Sequence, residues 1–341
     1  MSDLTSKIKL LVESQDGADQ LAKLFPIIPI PAAVGDALTC ARALDTATRV
    51  NSAGAIETVV ATKPRITWEL GVDQCPNLLV ERSRTNLFAT PLVPATQNVT
   101  VVNATVYTVS VVGSGSITLS GAGSGVVTEA NPITFTSAGT TLTCTVAGSL
   151  GGASVTAGAV AMSVANGTAN ADVISKTGIG TLLSGAKGLF VDCYLQAGSL
   201  SDSVARVTSC INDGSSANRI LIYRNNDTLF FECVSGGVAQ TSMNVNILAP
   251  FKNKRIKIFF SFEENSLNVY VNGALVATDL LALMPVNLSA VDMCYPGGIL
   301  QWNGLIKAVA VTDELTESEI AQLSSYPSFS DMASEMIYEM V

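Results

Sequence analysis

Residues 255–277, RIKIFFSFEENSLNVYVNGALVA, hold three strands in succession, at 255–262, 266–271 and 274–277. Asn272-Gly273 stands between the second and third. A two-residue type I′ turn needs positive φ at both central positions, and Asn and Gly tolerate it. Glu263-Glu264 falls between the first two strands and reads as a solvated turn. The stretch predicts antiparallel sheet, and runs of the same kind occur at 188–195, 219–223 and 228–233.

Composition agrees. Hydrophobic residues make up 48% of the 341 residues but charged residues only 14%, against roughly 25% in an average soluble domain. Ser, Thr, Asn, Gly and Ala stand in their place, as neutral pleated surfaces and their turns require. The length suits two or three domains. A formal charge of −9, with no basic run beyond Lys252-Asn-Lys254-Arg255, argues against nucleic acid as a partner. No apolar stretch reaches the roughly 20 residues of a bilayer span, so no membrane partner is expected. The N-terminus MSDLTSKIKLLVESQDGADQ is a poor signal peptide, and synthesis in a cytoplasm follows. The seven cysteines (40, 75, 144, 193, 210, 233, 294) are never spaced CxxC and read as buried small hydrophobes. Histidine is absent, which removes the usual general base and the commonest zinc ligand. Carboxylate chemistry alone stays open.

Along the chain, residues 3–25 predict a broken amphipathic helix, with Leu4, Ile8, Leu11, Ala18, Ala22 and Phe25 near helical spacing and Leu4, Ile8, Leu11, Leu21 and Phe25 as the apolar groups it offers a partner. PIIPIP at 26–31 follows as a stiff extended linker, so residues 1–31 form an anchor. Residues 32–96 read as an extended adaptor arm, too short for a large core. Within it, PNLLVERSRTNLF (76–88) packs Glu81, Arg82 and Arg84 between two apolar clusters. Its charges read as partners that fix the arm on its neighbour, with Arg84 donating to backbone carbonyls. Residues 97–150 hold five short strands between Gly/Ser and Asn/Pro turns, a small β-sandwich with a Thr/Ser outer face. Residues 151–171 are a Gly/Ala-rich connection, and a second β domain spans 172–327. Within it Thr316 and Glu319 form a capping box, with Leu315 and Ile320 as a hydrophobic staple, opening a short helix at 317–325. The tail, 328–341, carries Met332, Met336 and Met340 at helical spacing.

RIKIFFSFEENSLNVYVNG and GLIKAVAVTDELTESEIAQLSSY resemble the closing strands and short helix of a laminin-G-like, concanavalin A-type jelly roll, a likeness covering roughly 172–326. ATRVNSAGAIETVVATKPRITWEL, CPNLLVERSRTNLF and QNVTVVNATVYTVSVVGSGSITLSGAGSG resemble, in that order over about 41–150, bacteriophage head-spike and tail-fibre proteins. In those proteins such an arm leads into a small β module and a lectin-like sandwich. Residues 1–31 match neither family. The resemblance implies a non-enzymatic virion protein, homo-oligomeric and commonly trimeric. It is held to capsid, portal or tail proteins through the N-terminal apolar positions and engages host surface carbohydrate. The rival readings are a purely structural decoration or connector and a polysaccharide depolymerase.

Sugars are held by aromatic rings and by planar polar groups on loops of rigid sandwiches. The candidates are Asn212, Asp213, Asn218, Arg224 and Asn226, with Tyr295 and Trp302 as rings. Glycan cleavage needs paired carboxylates, and none of Asp192, Asp202, Asp213, Asp227, Glu232, Glu263, Glu264 and Asp292 falls in a recognisable catalytic phrase. No cofactor is required. Calcium is a metal that laminin-G-like domains often take, and Asp213 or Asp227 would contribute to its six to eight oxygens, but no acidic ligand series is visible and no metal is expected.

Overall fold

A computed structural model describes residues 8–13, 23–25, 38–68, 77–159, 161–165, 167–195, 205–226, 228–246, 251 and 254–325. The protein is all-β, built as two sandwiches. In the larger, a nine-stranded antiparallel sheet runs in the order Lys23–Phe25, Ile8–Glu13, Gly304–Thr312, Gly188–Leu195, Lys254–Glu263, Ser266–Val271, Ala274–Asp279, and Asn77–Val80 with Arg65–Thr67 also joins it through Gly304–Ile306. It faces a seven-stranded sheet ordered Val238–Asn246, Thr228–Ser235, Arg219–Asn225, Arg206–Asn212, Ala290–Asp292, Val173–Thr177, Thr39–Ala41. Alternation decides the core: Ile256, Ile258, Phe260 and Phe262 point inward to meet Ile220, Ile222, Leu229 and Phe231.

The strand Gly304–Thr312 is buried along its whole length. Its Val309 and Val311 face the second sheet, while Ala308 and Ala310 lie under the helix Glu317–Ser325 with Phe190, Phe259, Ile320 and Leu323. The capping box forms as the sequence predicts. Thr316 N donates to Glu319 Oε2 at 2.8 Å and Glu319 N to Thr316 Oγ1 at 3.3 Å. Lys257 Nζ donates to Ser324 O at 3.0 Å at the other end, satisfying a terminal carbonyl. The Asn272-Gly273 turn has φ of 48° and 83°. A Cβ on Gly273 would sit 3.2 Å from Ala321 Cα, so only glycine lets the hairpin meet the helix.

The N-terminal helix is a correction. Ile8–Glu13 and Lys23–Phe25 are strands, and the first pairs antiparallel with residues 308–312. The reason is the edge left beyond Ile306: strand 304–312 is covered on that side by 77–80 only as far as Ile306, and the rest would be an open row of donors and acceptors. IKLLVE, with β-branched and leucine residues, fills it. Leu4 and Leu21 lie outside the described residues, as do Cys75 and the Met-rich tail. The remaining six cysteines are free and buried; desolvation pushes their thiols up, to about 12 at Cys233 and Cys294.

The small sandwich packs Gly125–Val127, Ser116–Gly121, Thr141–Ala147 and Gln97–Thr100 against Ile133–Thr136, Val106–Val112 and Gly152–Ala157. Gly152–Ala157 therefore belongs to it rather than to a loose connection, because Ala153 and Val155 alternate into its core. Its outer face is not all solvated: Thr108, Ser154 and Thr156 are buried, and Thr108 Oγ1 donates to Gly158 O at 2.7 Å.

The adaptor arm has no core of its own. It is divided between the sandwiches and locked by charge. Asp172 Oδ1 accepts from Arg42 Nη1 at 2.8 Å and Arg65 Nε at 3.2 Å, and its Oδ2 accepts from Glu81 N at 2.8 Å. Glu81 Oε2 meets Arg65 Nη1 at 2.7 Å and Arg84 Nη2 at 2.8 Å, while Oε1 accepts from Ser163 N at 2.7 Å. Arg84 also donates to Ser163 O at 2.9 Å. Two residues on, Asn86 donates to Ala153 O and Ala165 O at 2.9 and 3.0 Å and accepts from Val155 N at 2.9 Å. Phe88 is buried in the small sandwich core. PNLLVERSRTNLF is thus the joint: a strand of one sandwich, an ion network, then an anchor in the other.

Burial alone would raise the Glu81 carboxyl, but Arg84 and Arg65, with the Ser163 bonds, hold it near 2. Burial disfavours the Arg65 cation as well, and Asp172 and Glu81 outweigh it and push its pKa up. A folded-state pKa below the unfolded one gives stability that is present above the unfolded value and lost as pH falls through the folded one. Asp172→Asn leaves Arg42 and Arg65 against a neutral amide and is expected to cost about 3–5 kcal/mol in urea denaturation. The stability gap between wild type and Glu81→Gln is expected to shrink as pH falls from about 4.5 toward 2; a constant gap contradicts the assignment. Deleting residues 1–25 reopens the edge of strand 304–312 and is expected to lower the thermal midpoint, which an unchanged midpoint would rule out.

Candidate functional site

The seven-stranded sheet turns one face to the core and the other outward. On the outer face the register Tyr223↔Phe230, set by the turn between Asn225 and Thr228, stacks two rings face to face. Their centroids are 4.9 Å apart at 9°, and both side chains are half-buried. Val207, Cys210 and Leu221 form the apolar floor beneath Tyr223, Tyr295 and Leu300. Polar groups border it: the exposed Ser242, near the Tyr223 phenol, and the exposed Asn244 opposite Phe230. Desolvation, then the nearby Glu232, push the Tyr223 phenol up, so it stays a neutral donor.

Further along the face, Arg219 lies over the Tyr295 ring, 5.2 Å from its centroid, and pairs with Glu232 at 2.5 Å. Flat rings with planar polar groups at their border suit the apolar face and equatorial hydroxyls of a sugar ring. Carboxylate catalysis fits poorly. Glu232 and Asp292 share this face, but their register runs Glu232↔Leu221↔Cys210↔Asp292, three strand spacings or ~14 Å. Glycosidase pairs stand about 5–9.5 Å apart.

The residues singled out from sequence divide three ways. Trp302 and Arg224 are buried, the guanidinium 5.1 Å from the indole centroid, so that ring faces the interior. Asn212 is buried, donating to Asp292 Oδ2 at 2.7 Å and accepting from Gly214 N at 2.8 Å. Asp213 and Asn218 close one exposed loop. Slight burial raises the Asp213 carboxyl, but bonds from Ser215 and Asn218 hold it below the usual range. Asn226, at φ 48°, occupies a turn, and Tyr295 belongs to the face described. Among the described residues no group of three or more acidic or cysteine side chains is placed to hold a metal; Asp227 lies outside them. Sequence reading missed Arg219, Tyr223 and Phe230, and weighed Glu232 only as a catalytic acid. The signal was present: in RILIYRNNDTLFFE a two-residue turn at 226–227 puts 223 opposite 230.

No family model matches the chain, and no curated protein does. Among solved structures, the botulinum neurotoxin serotype D binding domain aligns at 10% identity and TM-score 0.34, over 41% of this chain and 35% of that one. A neurotoxin DC binding domain in complex with rat synaptotagmin II aligns at 12% and 0.34, over 46% and 40%. The CBM40 of a Ruminococcus gnavus sialidase, bound to α2,6-sialyllactose, aligns at 13% and 0.33, over 41% and 83%. The match thus spans well under half of either neurotoxin chain. At these values ligand identity does not carry over.

Truncating the ring pair in a Tyr223→Ala/Phe230→Ala double variant is expected to weaken retention on immobilised bacterial polysaccharide about tenfold or more, since ring contacts contribute ~1 kcal/mol each. The lost ring pair is expected to lower the thermal midpoint as well, so retention is compared at a temperature where circular dichroism shows the variant folded. Undiminished retention removes the face as the site.

Proposed function

We propose that this chain is a non-enzymatic bacteriophage virion protein, a head spike or fibre that adheres to host surface carbohydrate through the outer face of its seven-stranded sheet. One observation supports the virion reading above others. The phrases that resemble phage spikes, ATRVNSAG, PR, LLVE and RTNL, supply Arg49, Arg65, Glu81, Arg84 and Asn86, all buried and the last four in the joint. Arg49 ties the arm hairpin internally through Glu57, with Nε to Oε1 at 2.6 Å. The resemblance therefore rests on the residues that make an arm and two sandwiches into one body, as a projecting fibre needs.

The adhesion half rests on the aromatic face. A stacked ring pair that leaves only its outer faces and edges to a ligand, with a few polar groups, gives weak contacts, and many copies on one particle raise the avidity. An antibody to the chain is expected to label purified particles in electron microscopy, and the isolated chain to be retained by polysaccharide of the host. Particles free of the chain would overturn the virion reading. A labelled particle whose chain binds no host polysaccharide would reduce the role to structural decoration, and release of reducing ends would make it a depolymerase.

A further inference from the structure

Six of the exposed large apolar side chains fall within twelve residues, 275–286: Leu275 and Val276 on the strand Ala274–Asp279, then Leu280, Leu281, Leu283 and Val286 beyond it. Val238, 63% exposed, begins the neighbouring strand Val238–Asn246. Among the described residues these two strands are the last of their respective sheets. The segment after Asp279 bridges them, with Leu283 N donating to Gln240 Oε1 at 3.3 Å and Ser235 Oγ to Met284 O at 3.0 Å. One side of the large sandwich is therefore an apolar strip bordering an open strand edge.

We propose that a second copy of this chain covers the strip, its Ala274–Asp279 strand pairing antiparallel with the first across a two-fold axis. Three features favour that occupant. The seven residues are 43–78% exposed, together on the order of several hundred Å², comparable with the ~800 Å² each partner gives a standard interface and with the largest patches, about 300–600 Å² and often functional, that a monomer shows. Strand 274–279 offers backbone donors and acceptors on its free edge, which another strand satisfies and a lipid does not. It carries no Lys or Pro; its one irregularity is a bulge at Val276, where Val269 and Tyr270 pair with Ala277 and Leu275. The strip's one charge, Asp279, is already bonded to Leu281 N at 3.0 Å and to the Thr241 hydroxyl. Two copies, each of net charge −9, thus meet where charge is least. An edge strand is self-complementary under a two-fold, the commonest closed symmetry, which sets a dimer here against the trimer that the phage resemblance implies.

Sedimentation velocity on the full chain is expected to give a dimer. Val276→Lys, in the middle of the edge, and Leu281→Asp, in the strip, weaken it about tenfold or more while circular dichroism and melting stay as in wild type. Amide exchange over 274–279 in the unmodified protein slows as concentration rises, a readout that needs no variant. A monomeric wild type, a trimer, a dimer that survives both substitutions, or concentration-independent exchange overturns the proposal. So does a monomer that binds neutral phosphatidylcholine vesicles and loses that binding in Leu281→Asp.

Discussion

Arg65 sits between Asp172 and Glu81 with no exposure to water, and the architecture depends on that contact. The Arg65 strand belongs to the arm, Asp172 opens the second half of the large sandwich, and Glu81 leads into the small one. Buried charges cost several kcal/mol each to desolvate and repay it only when every lone pair and proton has a partner. Here the carboxylates take guanidinium groups, backbone amides and a serine. The strength of such a network lies less in net stability than in geometry: any displacement of the arm strands a charge. A chain with only 14% charged residues places five of them in one joint.

That joint fixes the rest. With residues 77–80 held against 304–306, strand 304–312 keeps one side partly open, and residues 8–13 complete it. With Asn86 and Phe88 held in the small sandwich, Gly152–Ala157 is drawn into its sheet. A Cβ on Gly152 would meet Ile56 Cδ1 at 2.3 Å, so the arm hairpin and the small sandwich touch through a glycine. The outer aromatic face lies on the second sheet, reached from the joint through Val173–Thr177, which follows Asp172 directly.

Much of the sheet was legible because its signals are local. Alternation from 254 to 271, the Asn272-Gly273 turn and the Thr316–Glu319 capping box each need only a few consecutive residues. The N-terminal strand was not legible, since IKLLVE carries apolar residues at helical as well as extended spacing. Only a distant vacant edge, 300 residues later, decides between them. The same holds for the ligand face. Tyr295 and the loop polar groups attracted notice as residue types, and Trp302 with them, but whether a ring points outward follows from strand parity in a sheet whose pairings the sequence does not name. The charges of PNLLVERSRTNLF were legible as scaffold, though not their partners, because Arg42, Ser163 and Asp172 are far away in the chain.

The most direct test of this account is differential scanning calorimetry of the full chain. If the buried network makes the arm and both sandwiches one body, the protein unfolds in a single transition whose calorimetric and van't Hoff enthalpies agree. Two resolved transitions, one for each sandwich, would contradict it.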